Sequence, residues 1–374
     1  MKSMISLFSK YGKQMITAKK SLLVKEGWTG NNRSDTIIEP LKAVEDGLHT
    51  SIGTRGTFEW WYFDAHLDSG HTVVVFFHAS NPNPGLAGKS GLELVLVRPD
   101  GKRIQQFIKY PKSDFIASRE KADVKVGKNY LKVDYPDSGL PVYEIAIKEK
   151  DLDFHLVYKS QVNGWKPGTG TSTFANLGNF SWVVPMPKAA VEATVRDGEQ
   201  TFKSRGVGYH DHNWLDFQFA KIIDYWMWGR IYSESFTVSY AFIQCNRKME
   251  HHAVKVLMLA EGKEVVLSTG NFDFIKGDFE YNPLAKHSFP RKLTIKIPNK
   301  MEVVLSVQKV LEAEDMLNNF NPFLRFVAKN IIKLKPGYFR LISDFEIEVK
   351  SEGKTRKETG TTLHEIVMFK PADH

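Results

Sequence analysis

The chain has 374 residues, a formal net charge of +8, 42% hydrophobic residues and 25% charged residues. These fractions are typical of globular proteins and exclude a disordered chain or one built of membrane spans, and the length suffices for two domains. The one cysteine, Cys245, excludes an intrachain disulfide framework and a cysteine-rich zinc site. Lysines are scattered among acidic residues and no nucleic-acid-binding motif is present, so we expect no nucleic-acid partner.

Residues 1–45 form a basic amphipathic segment ahead of the first predicted domain. Six lysines and no acidic residue fall within residues 1–25, between short apolar stretches. The apolar run is too short and too interrupted for a secretory signal or a transmembrane span. A surface helix is the simplest interpretation, and an organelle-targeting or membrane-surface segment is the alternative. We therefore expect a cytoplasmic protein and leave peripheral membrane contact open.

Residues 46–246 are predicted to form a first domain made of short strands. Runs of β-branched and aromatic residues alternate with Asp-Gly, Asp-Ser-Gly and Asn-Gly sequences, which supply the positive φ angles of hairpin turns. The main runs are 58–67, 72–78, 92–98, 103–108, 130–135, 142–148, 153–159, 180–184, 189–196, 201–209, 225–232 and 236–244. Many short strands at this spacing predict an antiparallel barrel or sandwich.

Residues 247–374 are predicted to form a second β-rich domain, with the boundary near Asn246. Its strands are expected at 253–260, 263–269, 271–276, 292–297, 301–310, 338–350 and 361–369. One helix is predicted at 321–335, because Asn321 can cap it, Pro322 fits its first turn and apolar residues follow at helical spacing. We expect this helix to pack on its own domain, with membrane contact as the alternative.

Six consecutive residues, Tyr209 to Trp214, concentrate reactive side chains in a way that core packing does not require. The sequence is Tyr-His-Asp-His-Asn-Trp. In a strand, alternation sends Tyr209, Asp211 and Asn213 to one face. His210, His212 and Trp214 then lie on the other face. One face could relay a proton while the other forms a polar and aromatic pocket wall.

A second concentrated stretch covers residues 58–64, with the sequence Phe-Glu-Trp-Trp-Tyr-Phe-Asp. In a strand, Glu59, Trp61 and Phe63 share one face. A carboxylate beside indoles on an interior face would be desolvated, which raises its pKa and suits it to proton donation. The alternative is an aromatic barrel wall in which Glu59 only satisfies a buried donor.

Together the two stretches and the strands that follow supply the groups needed to cyclise or hydrate a polyene. Acids and imidazoles can move a proton, and an aromatic wall can stabilise a developing carbocation or hold an apolar ligand in a reactive fold. The aromatic candidates are Trp61, Tyr209, Trp214, Trp226, Trp228, Tyr232 and Tyr240. His210 and His212 could offer two ligands to a metal, but no third ligand is marked, so no metal is expected.

At these motifs the chain resembles the lipocalin-like superfamily of bacterial carotenoid 1,2-hydratases (hydroxyneurosporene synthases), AttH-like proteins and fungal Diels-Alderases. The residues that carry the resemblance are Glu59-Trp60-Trp61-Tyr62, Gly208 to Trp214 and Trp228-Gly229-Arg230, with weaker marks at Tyr338-Phe339-Arg340 and in 360–365. The similarity covers roughly residues 45–370. It implies an all-β chain of two tandem lipocalin-like antiparallel β-barrels with few helices, a hydrophobic pocket in or between them, and no required cofactor.

The resemblance also implies site residues. In the hydratases a histidine and a tryptophan of the Asp-His-Asn-Trp motif are implicated in catalysis, and they match His212 and Trp214. Those enzymes use a tyrosine and an aspartate on the following strand, where this chain has Tyr240 but lacks the aspartate. Leu215 stands where the family usually has glycine. Both departures from the family pattern weigh against carotenoid hydration.

We therefore expect a cofactor-independent cyclase or isomerase that acts on an apolar isoprenoid or polyketide-like molecule. Hydration of a terminal isoprenoid double bond and non-catalytic transport of a lipophilic ligand are the alternatives. The expected catalytic residues are His212, Asp211, Glu59 and Tyr240. The expected substrate-binding residues are Trp61, Tyr209, Trp214, Trp226, Trp228 and Tyr232.

Overall fold

The computed structural model describes residues 23–28, 34–35, 39–81, 87–137, 139–319, 335–351 and 353–370. The first strands are β1 (Val24–Lys25), β2 (Ser34–Asp35), β3 (Phe58–Leu67), β4 (Thr72–Ser80), β5 (Ser90–Val97), β6 (Arg103–Tyr110), β7 (Phe115–Ala117), β8 (Asp123–Val126), β9 (Asn129–Asp134), β10 (Val142–Lys148), β11 (Leu152–Ser160) and β12 (Thr171–Phe174). They are followed by β13 (Gly178–Asp197), β14 (Gln200–Leu215), β15 (Ile223–Tyr232), β16 (Phe236–Cys245), β17 (Ala253–Glu261), β18 (Glu264–Thr269), β19 (Asp273–Asn282), β20 (His287–Ile297), β21 (Met301–Asp315), β22 (Gly337–Ser351) and β23 (Lys354–Met368). Short 3-10 helices lie at Ala43–Asp46, Lys112–Asp114, Phe219–Lys221, Arg247–Met249 and Met316–Asn319.

Two antiparallel sheets contain these strands. The first has the order β6-β5-β4-β3-β14-β13-β11-β10-β9-β8-β7, with β12 and β1 added beside β13, and the second has the order β19-β20-β21-β22-β23-β15-β16-β17-β18-β2. One sheet closes almost completely into a barrel and the other forms a half-barrel. The expectation of an all-β chain with two tandem lipocalin-like barrels is confirmed. The predicted helix at 321–335 and most of the basic segment lie outside the described residues.

The chain changes sheet between Leu215 and Ile223, whereas the sequence placed the domain boundary near Asn246. Strands β15 and β16 pair with each other, and β15 also pairs with β23 near the C-terminus. Both strands have the same apolar composition as those of the first domain. Composition does not reveal which sheet a strand joins, because strand pairing here depends on a partner more than a hundred residues away.

Three apolar cores follow from this arrangement. One fills the first barrel and another fills the second. The third lies between the sheets, where Trp182 and Tyr209 of the first sheet meet Ile243 and Val254 of the second. We call this third core the interdomain layer. Side chains of residues 209–213 of β14 therefore point either into the first barrel or into the interdomain layer, whereas alternate residues of 200–207 are exposed.

Candidate functional site

Strands β3 and β14 are direct neighbours, and their register brings the two motifs together. His212 is paired with Trp61, and Asp211 is paired with Tyr62. Directly opposed residues of an antiparallel pair project from the same face. Glu59, Trp61, His210 and His212 thus point into the first barrel, whereas Tyr62, Tyr209, Asp211 and Asn213 point into the interdomain layer.

Inside the first barrel, His212 lies between two carboxylates. Its Nε2 is 3.0 Å from Glu59 Oε1, and its Nδ1 is 3.2 Å from Asp46 Oδ1. All three side chains are buried. The Trp61 ring stacks on the imidazole with a centroid distance of 4.4 Å. Glu59 and His212 therefore share one site, as the expected proton chemistry requires.

Asp46 was not found by the sequence analysis, yet it is the centre of this cluster. It ends the 3-10 helix Ala43–Asp46, and its Oδ2 accepts a hydrogen bond from Tyr143 at 2.7 Å and lies 3.1 Å from His210 Nε2. Burial alone would raise the pKa of Asp46, but His210 and His212 lower it well below the usual range. No local pattern marks this aspartate, because its partners lie far along the chain.

Glu59 accepts three further hydrogen bonds. They come from the backbone N–H of His49 at 2.7 Å and from the N–H and hydroxyl of Thr50 at 2.7 and 2.6 Å. Burial raises the pKa of this carboxyl, but His212 and these donors outweigh burial and lower it. The expectation of a raised pKa at Glu59 was wrong, because a carboxylate with this many donors is held as an anion.

The same contacts keep His212 positively charged. Burial would lower its pKa, but Asp46 and Glu59 raise the pKa to about 8. Its Nε2 contacts Glu59, whereas its Nδ1 lies 3.2 Å from Asp46 Oδ1 and makes no hydrogen bond within the described residues. These contacts tie the segment carrying Asp46 to the wall of the first barrel.

Asp211 occupies the opposite face of β14 and has a different environment. Its Oδ2 accepts hydrogen bonds from Trp182 Nε1 at 3.1 Å and Tyr209 Oη at 3.0 Å, and its Oδ1 accepts one from Asn213 at 2.9 Å. Burial raises its pKa to about 6, against the smaller opposing effects of Tyr209, His210, Trp182 and Arg230. The pKa of the Asp211 carboxyl is therefore raised, whereas that of Glu59 is lowered.

A cation and aromatic rings surround Asp211 in the interdomain layer. Arg230 Nη2 is 2.5 Å from Asp64 Oδ2, and the guanidinium carbon lies 4.4 Å from the centroid of the Tyr209 ring. The Tyr209 ring is 5.7 Å from Trp228. Within the described residues, Arg230 Nη1 and Asp64 Oδ1 are buried without a hydrogen-bond partner. This part of the layer therefore offers a cation, a carboxylate and π-faces together.

The remaining predicted residues divide among three environments. Trp61 and Trp214 lie beside His212, with Trp214 stacked on His49 at 3.6 Å. Tyr209, Trp226, Trp228 and Tyr232 belong to the side of the sheets that faces the interdomain layer. Tyr240 is in the core of the second barrel, and its hydroxyl has no hydrogen-bond partner within the described residues. The structure therefore brings Glu59 to His212 but places Asp211 and Tyr240 elsewhere.

A groove opens between the two sheets next to Asp211. It encloses about 340 Å³ of empty volume, including open solvent at its mouth. Its lining residues are Gly27, Trp28, Pro167, Gly170, Ser172, Phe180, Trp182, Ile243, Val254 and Val256. Trp182 both lines the groove and donates its indole N–H to Asp211. The side chain of Trp182 is thus all that separates the carboxyl of Asp211 from an apolar groove.

Metal and membrane features were searched over the same parts of the chain. Among the described residues, no group of three or more histidine, cysteine, aspartate or glutamate side chains could hold a metal ion. None of the described helices combines the length and the apolar character needed to cross a membrane.

Sequence comparisons relate the chain to two kinds of enzyme. A family model described as Diels-Alderase-like matches residues 145–297. A hydroxyneurosporene dehydrogenase of Chlorobaculum tepidum is 25% identical over 256 residues, covering 60% of this chain and 66% of that protein. The Diels-Alderase cheD of Chaetomium globosum is 25% identical over 243 residues, covering 62% of this chain and 56% of that protein. The matches thus span less than two thirds of each relative.

Solved structures share the fold along nearly the whole chain. CghA bound to Sch210972 has a TM-score of 0.59 at 12% identity, covering 94% of this chain and 99% of CghA. Kievitone hydratase from Nectria haematococca has a TM-score of 0.55 at 14% identity, covering 92% and 97%. An AttH structure from Nitrosomonas europaea has a TM-score of 0.58 at 12% identity, covering 86% and 95%. The chain therefore has the two-barrel, lipocalin-like fold of these structures, and the sequence similarity to a hydroxyneurosporene dehydrogenase and a Diels-Alderase agrees with the resemblance seen in the motifs.

Proposed function

We propose that this protein is an enzyme that cyclises or isomerises an apolar isoprenoid or polyketide-like molecule in the groove of the interdomain layer. The observation that carries the proposal is Asp211, a buried carboxyl with a pKa raised by burial to about 6, one side chain from an apolar groove. A general acid is most effective when its pKa lies near the working pH. The Diels-Alderase-like family model and the similarity to Diels-Alderase cheD support cyclisation, and the fold shared with kievitone hydratase keeps hydration as the second candidate.

In the proposed reaction Asp211 supplies and recovers one proton. The Trp182 ring, which separates Asp211 from the groove, moves aside, and the carboxylic acid donates its proton to one carbon of a double bond. A second double bond of the substrate then attacks the resulting cation to form a carbon–carbon bond. The Asp211 carboxylate then removes a proton from a neighbouring carbon, so the product is an isomer of the substrate. The Tyr209 hydroxyl can donate to the carboxylate or accept from the acid, which satisfies Asp211 in both states.

The aromatic rings stabilise the charge that develops in this sequence. The faces of Trp182 and Trp228 carry negative electrostatic potential and attract a cation within about 6 Å of the ring centre. Trp182 is a groove wall, and Trp228 packs beside Tyr209. The apolar walls Phe180 and Ile243 hold the hydrocarbon and exclude water, which would otherwise add to the cation.

We propose a positioning role for His212 and Glu59. Their ion pair, with Asp46, fixes the inner face of β14. Asp211 is the residue next to His212 and points the other way, so the same strand segment that the ion pairs hold also carries the acid. In this proposal Asp211 of the Asp-His-Asn-Trp motif faces the interdomain layer as the acid, and His212 faces the first barrel and holds the strand in place.

The test is mass spectrometry of organic extracts from cells that express the wild-type gene, an Asp211→Asn variant or no gene. An Asp134→Asn variant is the matched control, because Asp134 is an exposed strand residue. We expect a product of the same mass as its precursor with the wild type and the control, and none with Asp211→Asn. A product heavier by one water would indicate a hydratase. Intact bound lipid with an unchanged metabolite profile would indicate a carrier and refute the proposal.

A further inference from the structure

Residues 23–28, which we call the strap, cross from one sheet to the other along the outer side of the groove. Strand β1 pairs Lys25 with Thr173 of β12, and the N–H of Thr169 donates to the carbonyl of Gly27 at 2.8 Å. These contacts attach the strap to the first sheet. Trp28 lies at its end and is 8% exposed, which shows that the ring is packed inward against the groove.

The other attachments of the strap are to the second sheet. Glu26 Oε1 is 2.7 Å from His252 Nε2, and Glu26 Oε2 accepts a hydrogen bond from Trp28 Nε1 at 3.2 Å. The Trp28 ring lies against Gly270, where a Cβ atom would fall 2.6 Å from Nε1. A larger residue at position 270 would displace the ring. The strap therefore bridges the two barrels and places an indole over the groove.

The groove is small for the class of substrate proposed above. In this structure its cavity volume is about 20 Å³, whereas ligand pockets usually enclose ~300–1,000 Å³. The walls Phe180, Trp182, Ile243 and Val254 belong to strands of nine or more residues that pair with a neighbouring strand along much of their length. The strap pairs with the first sheet through a strand of two residues. Segments with few backbone hydrogen bonds open at the lowest free-energy cost.

We infer that the strap is the gate of the groove, and that Trp28 is the residue that limits which apolar molecules fit. Opening releases β1 from β12 together with the Trp28 ring, and closing returns the indole over the bound molecule. The inference rests on the proposed function, since it takes the groove as the substrate site. It adds a specificity residue that lies outside both sequence motifs.

The experiment locks the strap with a disulfide in the full-length protein. Lys25 and Thr173 are directly opposed in an antiparallel pair, whose Cα atoms lie ~4.5–5.5 Å apart, a separation that a disulfide can bridge. Lys25→Cys/Thr173→Cys forms the locked protein when oxidised. Thr171→Cys/Ser181→Cys is the matched control, because it links β12 to β13 and leaves β1 without a covalent link to β12.

The probe is cis-parinaric acid, an apolar conjugated tetraene whose fluorescence rises on binding. We expect oxidised Lys25→Cys/Thr173→Cys to bind it at least about tenfold more weakly or more slowly than the reduced form, because the open state is removed from the ensemble. The control pair should bind equally well in both redox states. A Trp28→Ala variant should bind more rapidly and accept longer polyenes than the wild type.

Each result decides a different question. Equal binding by the oxidised and reduced locked pair would overturn the gate and leave the groove as a ligand site. No binding by the wild type, the reduced pair or Trp28→Ala would overturn the groove as the substrate site, and the gate with it. Weaker binding of the oxidised control pair as well would show that any disulfide here impairs the protein, and would also overturn the gate.

Discussion

The buried ion pairs of His212 predict how the stability of the protein depends on pH. The pKa of His212 is raised from 6.5 to about 8 by Asp46 and Glu59, against burial, which lowers it. A shift of about 1.5 pKa units corresponds to roughly 2 kcal/mol. Because the folded-state pKa is the higher one, this stabilisation is fully present below pH 6.5 and is lost as the pH rises through about 8.

A charge-balanced double variant isolates this effect. Glu59→Gln/His212→Gln removes one acid and one base together, so the net charge of the cluster does not change, and Asp46 keeps its contacts with His210 and Tyr143. Urea unfolding followed by far-UV circular dichroism at several pH values between 6 and 9 gives the free energy of unfolding of each protein. The wild type should lose roughly 2 kcal/mol more than the double variant between these limits.

Direct titration of the imidazole by nuclear magnetic resonance provides a second measurement. The His212 resonance should titrate near pH 8 in the wild type, as its raised pKa requires, and at lower pH in a Glu59→Gln variant. Wild-type and double-variant stabilities that differ by a constant amount, within about 0.5 kcal/mol, would refute the assignment. So would a wild-type His212 that titrates at or below the value of a free histidine.

Three further changes test other parts of the structure. Asp211→Asn should raise the free energy of unfolding at pH 8 by up to roughly 3 kcal/mol. In the wild type, burial raises the pKa of Asp211 from 3.8 to about 6, so the buried carboxylate destabilises the folded protein above that pH. An unchanged free energy of unfolding in urea would contradict this. Arg230→Met should lower the free energy of unfolding by about 3–5 kcal/mol, because it leaves the Asp64 carboxylate without its cation in the interdomain layer. Adding Asp64→Leu should restore most of that loss. Equal urea midpoints for the single and double variants would contradict this account. Gly206→Ala should cost about 1–3 kcal/mol of folding stability, because its Cβ would meet the main-chain oxygen of His66 in β3. In the control Gly277→Ala the new Cβ makes only an ordinary contact with Lys292. Equal melting temperatures for the two variants would refute the reasoning.

Local alternation determined much of the candidate site in advance. The sequence of residues 58–64 already places Glu59 and Trp61 on one strand face. The sequence of residues 209–214 places His212 and Asp211 on the two different faces of one strand, and the structure has the same arrangement. Side chains alternate along any strand, so a face can be predicted without knowing the fold. The all-β architecture follows from the same patterns and from the turn residues between them.

Only the tertiary structure decided which faces meet. Alternation does not give strand pairing or register, and the pairing of β3 with β14 joins segments about 150 residues apart. Asp46 reaches His212 from a 3-10 helix that no periodic pattern marks. The pKa values depend on these contacts. His212 and three close hydrogen-bond donors lower the pKa of Glu59, whereas burial raises the pKa of Asp211. The sequence determined which reactive groups are present and which face of a strand each occupies, whereas packing between distant strands decided which group can carry the proton.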